Sequence, residues 1–233
     1  TKKFDVQIFP RYHQLDVIRK IRNNVKKEGV GHNYLIQHTT GSGKSYSIGW
    51  LSHTLTSLYQ KDGDTKRMFD TILVVTDRKV LDKQLQNTVS KLEQTGGVVN
   101  PVEMGSKQLK EYLEKGKDII ITTIQKFPFV SEVISELKGH TFGVVIDEVH
   151  SSQTGETSKH LKKSLSVNEE EEGELDYEEV IRKEIESRGK QEHISFFGFT
   201  GTPKNKTLEL FGRKNENGHF VPFHYYTMNQ SIH

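Results

Sequence analysis

The run His38-Thr39-Thr40-Gly41-Ser42-Gly43-Lys44-Ser45 sits between an apolar stretch, Tyr34-Leu35-Ile36, and an amphipathic one. Strand, glycine loop and helix in that order make a phosphate cradle, because glycines let successive backbone N–H groups converge on phosphate oxygens. Thr40, Gly41, Ser42 and Gly43 supply the loop, Lys44 a point charge for the β and γ groups, and Ser45 a hydroxyl for Mg²⁺. The helix that starts near Lys44 also presents its positive dipole end to the anion. The strict pattern GxxxxGK[ST] wants glycine where this chain has His38, and Gly-Ser-Gly alone also suits an ordinary flexible loop.

A second constellation lies far downstream. Gly143-Val144-Val145-Ile146 reads as a strand buried on both faces, and it ends in Asp147-Glu148-Val149-His150. Acids at the C-terminal end of a parallel strand project into the ligand crevice and not into the core. There Asp147 would hold Mg²⁺, and Glu148 would orient or deprotonate an attacking water. An isolated Asp-Glu pair more often marks a solvated acidic turn; the glycine loop upstream makes the catalytic reading the better one. Lys44, Asp147 and Glu148 are thus the candidate catalytic residues, and Ser45 with Asp147 the candidate metal ligands.

These groups need a scaffold that brings them together. Leu15, Ile18, Ile21 and Val25 fall at helical spacing after Phe9-Pro10, with Gly29 to Gly31 as the stop. A strand ends near Gln37, and Ile48, Leu51, Leu55 and Leu58 mark the helix behind the glycine loop. Strands are expected at Thr71 to Val75, Asp118 to Thr122, Phe142 to Ile146 and Ile194 to Phe199. Helices are expected on Leu81, Leu85, Val89 and Leu92, within Val130 to Leu137, and over Asp176 to Arg188. Alternating strands and helices imply an α/β fold: one mostly parallel central sheet with helices on both faces. Residues 166–176, with four consecutive glutamates, read as a mobile acidic insertion.

With 233 residues, about a third of them hydrophobic, the chain can bury a sizeable core, and a single domain over residues 1–233 is favoured. A formal charge of +2 is too small to argue for a polyanionic partner. The absence of cysteine excludes disulfides and thiolate zinc sites and fits a reducing cytoplasm. No apolar stretch is long enough to cross a bilayer. The first residue is Thr1 and not Met, which reads as an excised fragment.

Together these motifs resemble the first RecA-like motor domain of a superfamily 2 helicase or translocase, and more narrowly the motor part of the restriction subunit of type I restriction-modification enzymes. Phe9-Pro10-Arg11-Tyr12-His13-Gln14 is similar to the family's adenine-recognition segment, which implies base contacts from Arg11, Tyr12 and Gln14. The His-Thr-Thr opening of the phosphate loop, Val75-Thr76-Asp77-Arg78, Ile121 to Phe127, and Asp147 to His150 with Ser152-Gln153 resemble successive family motifs. Phe197-Gly198-Phe199-Thr200-Gly201-Thr202-Pro203 looks like the coupling motif, and Tyr226 to Gln230 resembles the lead into a second motor domain. Val149 stands where alanine is usual and Ser151 where a basic residue is common.

The resemblance implies ATP and Mg²⁺ as ligands and stepping along double-stranded DNA between two RecA-like halves. The second half and the nuclease would lie outside this chain, and modification and specificity subunits would be its partners. His150, Thr200, Gly201 and Thr202 would couple phosphate state to cleft closure. Thr76, Arg78, Thr123 and Lys126 would meet the DNA backbone. Such a half would bind ATP, hydrolyse it poorly and not cleave DNA. Two other readings remain: a strand-separating DNA or RNA helicase domain, and a regulatory module that senses ATP without turnover.

Overall fold

A computed structural model describes residues 8–61, 63–76, 79–93, 96–102, 105–137, 139–148, 177–189 and 191–226. The elements that carry the sheet are β1 (Asn33–His38), β2 (Thr71–Thr76), β3 (Val99–Pro101), β4 (Ile119–Thr123), β5 (Phe142–Ile146), β6 (Ile194–Thr200) and β9 (His224–Tyr226). Their spatial order is β3-β4-β2-β5-β6-β1-β9, and every neighbouring pair is parallel. Arg213–Lys214 (β7) and Phe220–Val221 (β8) form a separate antiparallel pair.

The alternation of strand side chains builds two cores. On one face Tyr34, Ile36, Ile72, Val74, Val145, Phe197 and Phe199 pack with α1 (Tyr12–Glu28), α2 (Lys44–Thr56) and α3 (Lys79–Lys91). On the other, Leu35, Leu73, Val75, Val144, Ile146 and Phe196 pack with α4 (Ser106–Glu114), α5 (Phe127–Glu136) and α6 (Tyr177–Arg188). Strands apolar on both sides demand this double cover, which is why each reads as an unbroken hydrophobic run. A short helix α7 (Asn205–Phe211) follows β6.

The expected RecA-like α/β architecture is thus observed, with three local differences. Leu15 is half-exposed and Val17 takes its place on the buried stripe of α1. Leu58 is buried beyond the end of α2, in a turn closed by the Met68 N–H on the Leu58 carbonyl at 2.7 Å. α5 starts at Phe127, earlier than expected, because Pro128 in its first turn sacrifices no helical hydrogen bond. The acidic segment 166–176 lies outside the described residues.

The seam between α1 and β1 depends on one hydroxyl. Ser195 on β6 is fully buried, and its Oγ accepts from the Gly31 N–H at 2.9 Å and the His32 N–H at 3.3 Å. Removing it leaves two backbone donors unsatisfied. Ser195→Ala is expected to lower the unfolding free energy by about 1–3 kcal/mol, measured by urea denaturation; an unchanged midpoint would show that this hydroxyl does not hold the turn.

Candidate functional site

Three neighbouring strands place the candidate groups. The order β5-β6-β1 and the common strand direction bring the loops after Ile146, Thr200 and His38 to one edge of the sheet. The register puts Gln37 opposite Thr200 and Ile146 opposite Gly198. Lys44 Nζ lies 2.9 Å from Glu148 Oε1 and 3.4 Å from the His38 carbonyl. Its side chain is only 10% exposed, so this ion pair is partly shielded from water. Asp147 continues the ladder, its N–H donating to the Val75 carbonyl at 2.9 Å.

Backbone conformation is specialised at two points. Gly43, the residue before α2, is left-handed at φ 82, and a Cβ there would lie 2.7 Å from the Gln14 amide nitrogen. Glycine is therefore required twice over, by conformation and by space. Glu148 is the one non-glycine with positive φ among the described residues, at 50. A left-handed non-glycine is uncommon and costs energy; here it accompanies a carboxylate turned onto Lys44.

Gln14 is placed differently from expectation. It is buried, its amide oxygen accepts from the Arg11 N–H at 2.7 Å, and its amide nitrogen donates to the carbonyls of Gly43 at 3.0 Å and Ser42 at 3.4 Å. The amide proposed for a base edge is thus turned inward and pins the phosphate loop to the start of α1. Arg11 and Tyr12 stay on the surface beside it, Tyr12 84% exposed.

On the loop itself, Thr40 and Gly41 are exposed, Ser42 is buried, and Ser45 is half-exposed in the first turn of α2. First-turn N–H groups have no partner within a helix, so Lys44 and Ser45 add backbone donors to the loop. Gly201 packs against it: a Cβ there would lie 3.6 Å from Thr40 Oγ1 and 3.9 Å from Lys44 Nζ. Thr200 is buried, its Oγ1 accepting from the Thr202 N–H at 3.2 Å, while Thr202 is exposed. The backbone at Gly201 therefore runs beside the phosphate loop.

The expected DNA face divides. Thr123 and Lys126 are half-exposed. Thr76 is 1% exposed at the end of β2, which takes it out of reach of a DNA backbone in this structure. Arg78 and His150 lie outside the described residues.

Open space adjoins the loop: a cleft of about 560 Å³ runs from Gly43 and Ser45 to Lys83 and Gln84 of α3. A larger one, about 760 Å³, lies at the opposite ends of β1 and β6, beside Asn33 and Ile194, and holds none of the candidate residues. Among the described residues no cluster of three or more His, Asp or Glu side chains could cage a metal.

The model of SWI2/SNF2 ATPases matches residues 13–170, spanning the phosphate loop and the acidic loop whose side chains meet here. The chain belongs to the SWI2/SNF2 ATPase family. The resemblance to a superfamily 2 motor domain is thereby borne out. Two curated relatives are endonuclease subunits of type I restriction enzymes: SsaAORF53P of Staphylococcus saprophyticus, 26% identical over 79% of this chain, and HindI of Haemophilus influenzae, 32% identical over 76%. The matched region is 17% and 16% of those proteins. The DNA-bound ATP-dependent type ISP restriction-modification enzyme LlaBIII shares the fold, with a TM-score of 0.59, 14% identity, and coverage of 100% of this chain and 16% of that one.

Sequence reading missed a polar group behind the loop: the buried rings of His13, His38 and His224 on β9, with the half-exposed Asp16 beside them. The sole local signal was His38 standing where glycine is usual. Burial, with help from His224, His13 and Lys44, pushes the His38 ring down from 6.5 to about 3. His13 and His224 are lowered too, mainly by burial. In the unfolded chain His38 takes up a proton below 6.5, while the folded chain does not, so this stability is complete above 6.5 and is lost as pH falls toward 3. Unfolding free energies from urea titrations at pH 7.5 and 5.5 are expected to differ by about 1 kcal/mol or more; equal values would place these rings in contact with water.

Proposed function

We propose that this chain is the ATP-binding half of an ATP-dependent double-stranded DNA translocase belonging to the endonuclease subunit of a type I restriction enzyme. The observation that carries the reading is the meeting of Lys44 with the Asp147-Glu148 loop across the sheet edge. The family match supports nucleotide use, and the curated relatives support the restriction assignment.

In this reading the N–H groups of the loop and of the first turn of α2 cradle the phosphates, and Lys44 draws the γ-phosphate. Ser45 and Asp147 would hold Mg²⁺, which when bound neutralises phosphate charge. Glu148 leaves its ion pair with Lys44 as the phosphate arrives and becomes the base or orienting group for water. Arg11 and Tyr12 flank the base. Thr200, Gly201 and Thr202 would feel the loop shift because the Gly201 backbone runs beside Thr40 and Lys44, and His150 would act beside them. Lys126 and Thr123, with Arg78, track the DNA phosphates without reading sequence.

A second RecA-like half would supply an arginine to the γ-phosphate. The curated relatives are roughly six times longer than the matched region, which leaves room for that half, a nuclease and docking of modification and specificity subunits. The acidic stretch 166–176 would be an insertion in the motor domain. The absence of cysteine fits a cytoplasmic setting for such a complex.

Binding titrations with a fluorescent ATP analogue and Mg²⁺ test the site. Lys44→Ala is expected to weaken affinity at least tenfold through loss of a charge-assisted contact. Glu148→Gln is expected to bind as tightly as the parent or tighter, because it frees Lys44 from its ion pair; a loss matching that of Lys44→Ala would mean that Glu148 holds the loop and does not compete with phosphate. Hydrolysis by residues 1–233 alone tests whether a second half is needed. Without the arginine, turnover is expected to fall short of a complete motor by roughly 10³ to 10⁵, and a fast, DNA-stimulated ATPase from this chain would contradict a divided site.

A further inference from the structure

His38 ends β1 at the position where the strict phosphate-loop pattern has glycine, and it is fully buried. Its Nε2 is 2.9 Å from His224 Nδ1, and His224 Nε2 is 2.9 Å from Asp16 Oδ2. Asp16 is also paired with Lys20 at 2.8 Å, which with His224 holds its carboxyl below the usual range and keeps it ionised. A carboxylate only accepts, so His224 carries its hydrogen on Nε2. Neutral His224 then accepts at Nδ1, and His38 must donate from Nε2. The remaining His38 nitrogen, Nδ1, has no hydrogen-bond partner among the described residues, and a bare buried acceptor is tolerated better than a bare donor. With His224 doubly protonated, the same atom would be an orphaned buried donor beside Lys44. The proton order of the chain is therefore set by its chemistry.

The strand that bears His224 grips the phosphate loop in two further ways. The Tyr226 carbonyl accepts from the Thr39 N–H at 3.2 Å. The Tyr226 ring stacks on His13 at 3.8 Å, and His13 Nε2 donates to the Ser42 carbonyl at 2.9 Å. A three-residue strand has little hold of its own, so these contacts define where β9 sits. In turn they fix both ends of the loop, and the His38 carbonyl is the one that faces Lys44 Nζ.

We propose that His38 and His224 are positioning residues for the nucleotide site, hydrogen-bonded to each other in an ordered relay that Asp16 anchors at the His224 end and that locks the phosphate loop to the edge strand β9. The proposal rests on the nucleotide reading above. It makes the edge of the sheet and the phosphate cradle one mechanical unit: β9 cannot shift along β1 without drawing on Thr39 and His38.

Three substitutions at one position separate hydrogen bonding from packing. His224→Asn keeps an acceptor near the Nδ1 position toward His38. His224→Gln keeps a donor toward Asp16 and loses that acceptor, and His224→Phe keeps only the ring. Affinity of the 233-residue chain for a fluorescent ATP analogue with Mg²⁺ is expected to fall about tenfold in His224→Phe and His224→Gln, and to recover to within about threefold of the parent in His224→Asn. Affinities that are all unchanged, or that simply follow the melting temperatures of the variants, would overturn the relay. Should His224→Phe not fold, nitrogen NMR of the histidine-labelled parent still decides: His38 neutral with its hydrogen on Nε2 supports the relay, and hydrogen on Nδ1 overturns it. Absence of ATP binding by the parent itself would overturn the nucleotide reading and the positioning role together. Intact parental binding, lost in Lys44→Ala but kept in His224→Phe and His224→Gln, would overturn the positioning role alone.

Discussion

Three strands that run the same way must end at the same edge, and β5, β6 and β1 are neighbours in the sheet. Whatever loop follows each of them is delivered to one crevice. The ion pair between Lys44 and Glu148 is the visible consequence, and the closeness of the Gly201 backbone to Thr40 and Lys44 is another. The parallel register leaves little choice: a one-residue slip of β5 or β6 would turn the apolar faces of the strand outward and carry the loop residues to the wrong side. The two cores thus position the chemistry as well as stabilise the chain.

Behind the crevice the phosphate loop is held by polar contacts that point inward. Gln14 binds its carbonyls from α1, His13 binds Ser42, and His224 reaches His38 from β9. The usual phosphate loop needs small residues because its backbone comes close to the ligand. Here a bulky ring is accommodated at the start of the loop by being neutral, buried and hydrogen-bonded on one side. That arrangement gives α1 and β9, at opposite ends of the described chain, a common grip on the same eight residues.

Much of this was legible because the physics is local. Strands such as Ile72 to Val75 are apolar on both faces, so they announce themselves without partners, and phosphate chemistry compresses Gly41, Gly43, Lys44 and Ser45 into one stretch. That the loop after Ile146 should reach that stretch followed from strand direction once the alternation of elements was read, and Glu148 on Lys44 is where the two meet. What escaped depends on tertiary placement. β3 and β9 have three residues each and no periodicity to detect. α4 buries only Leu109 and Leu113 fully, a thin stripe among charged neighbours. The inward turn of the Gln14 amide, the burial of Thr76 and the partnership of His38 with His224 are decided by residues distant in the chain, so no local pattern encodes them.

The convergence of the two loops on one bound nucleotide can be observed directly by letting the ion report its own surroundings. With Fe²⁺ replacing Mg²⁺ in the ATP complex, ascorbate and peroxide generate radicals that cut the backbone beside the metal. Cuts clustered at both residues 43–46 and residues 146–149, and suppressed by excess Mg²⁺, are the expected result. Cutting at only one of the two segments, or at neither, would contradict a shared site.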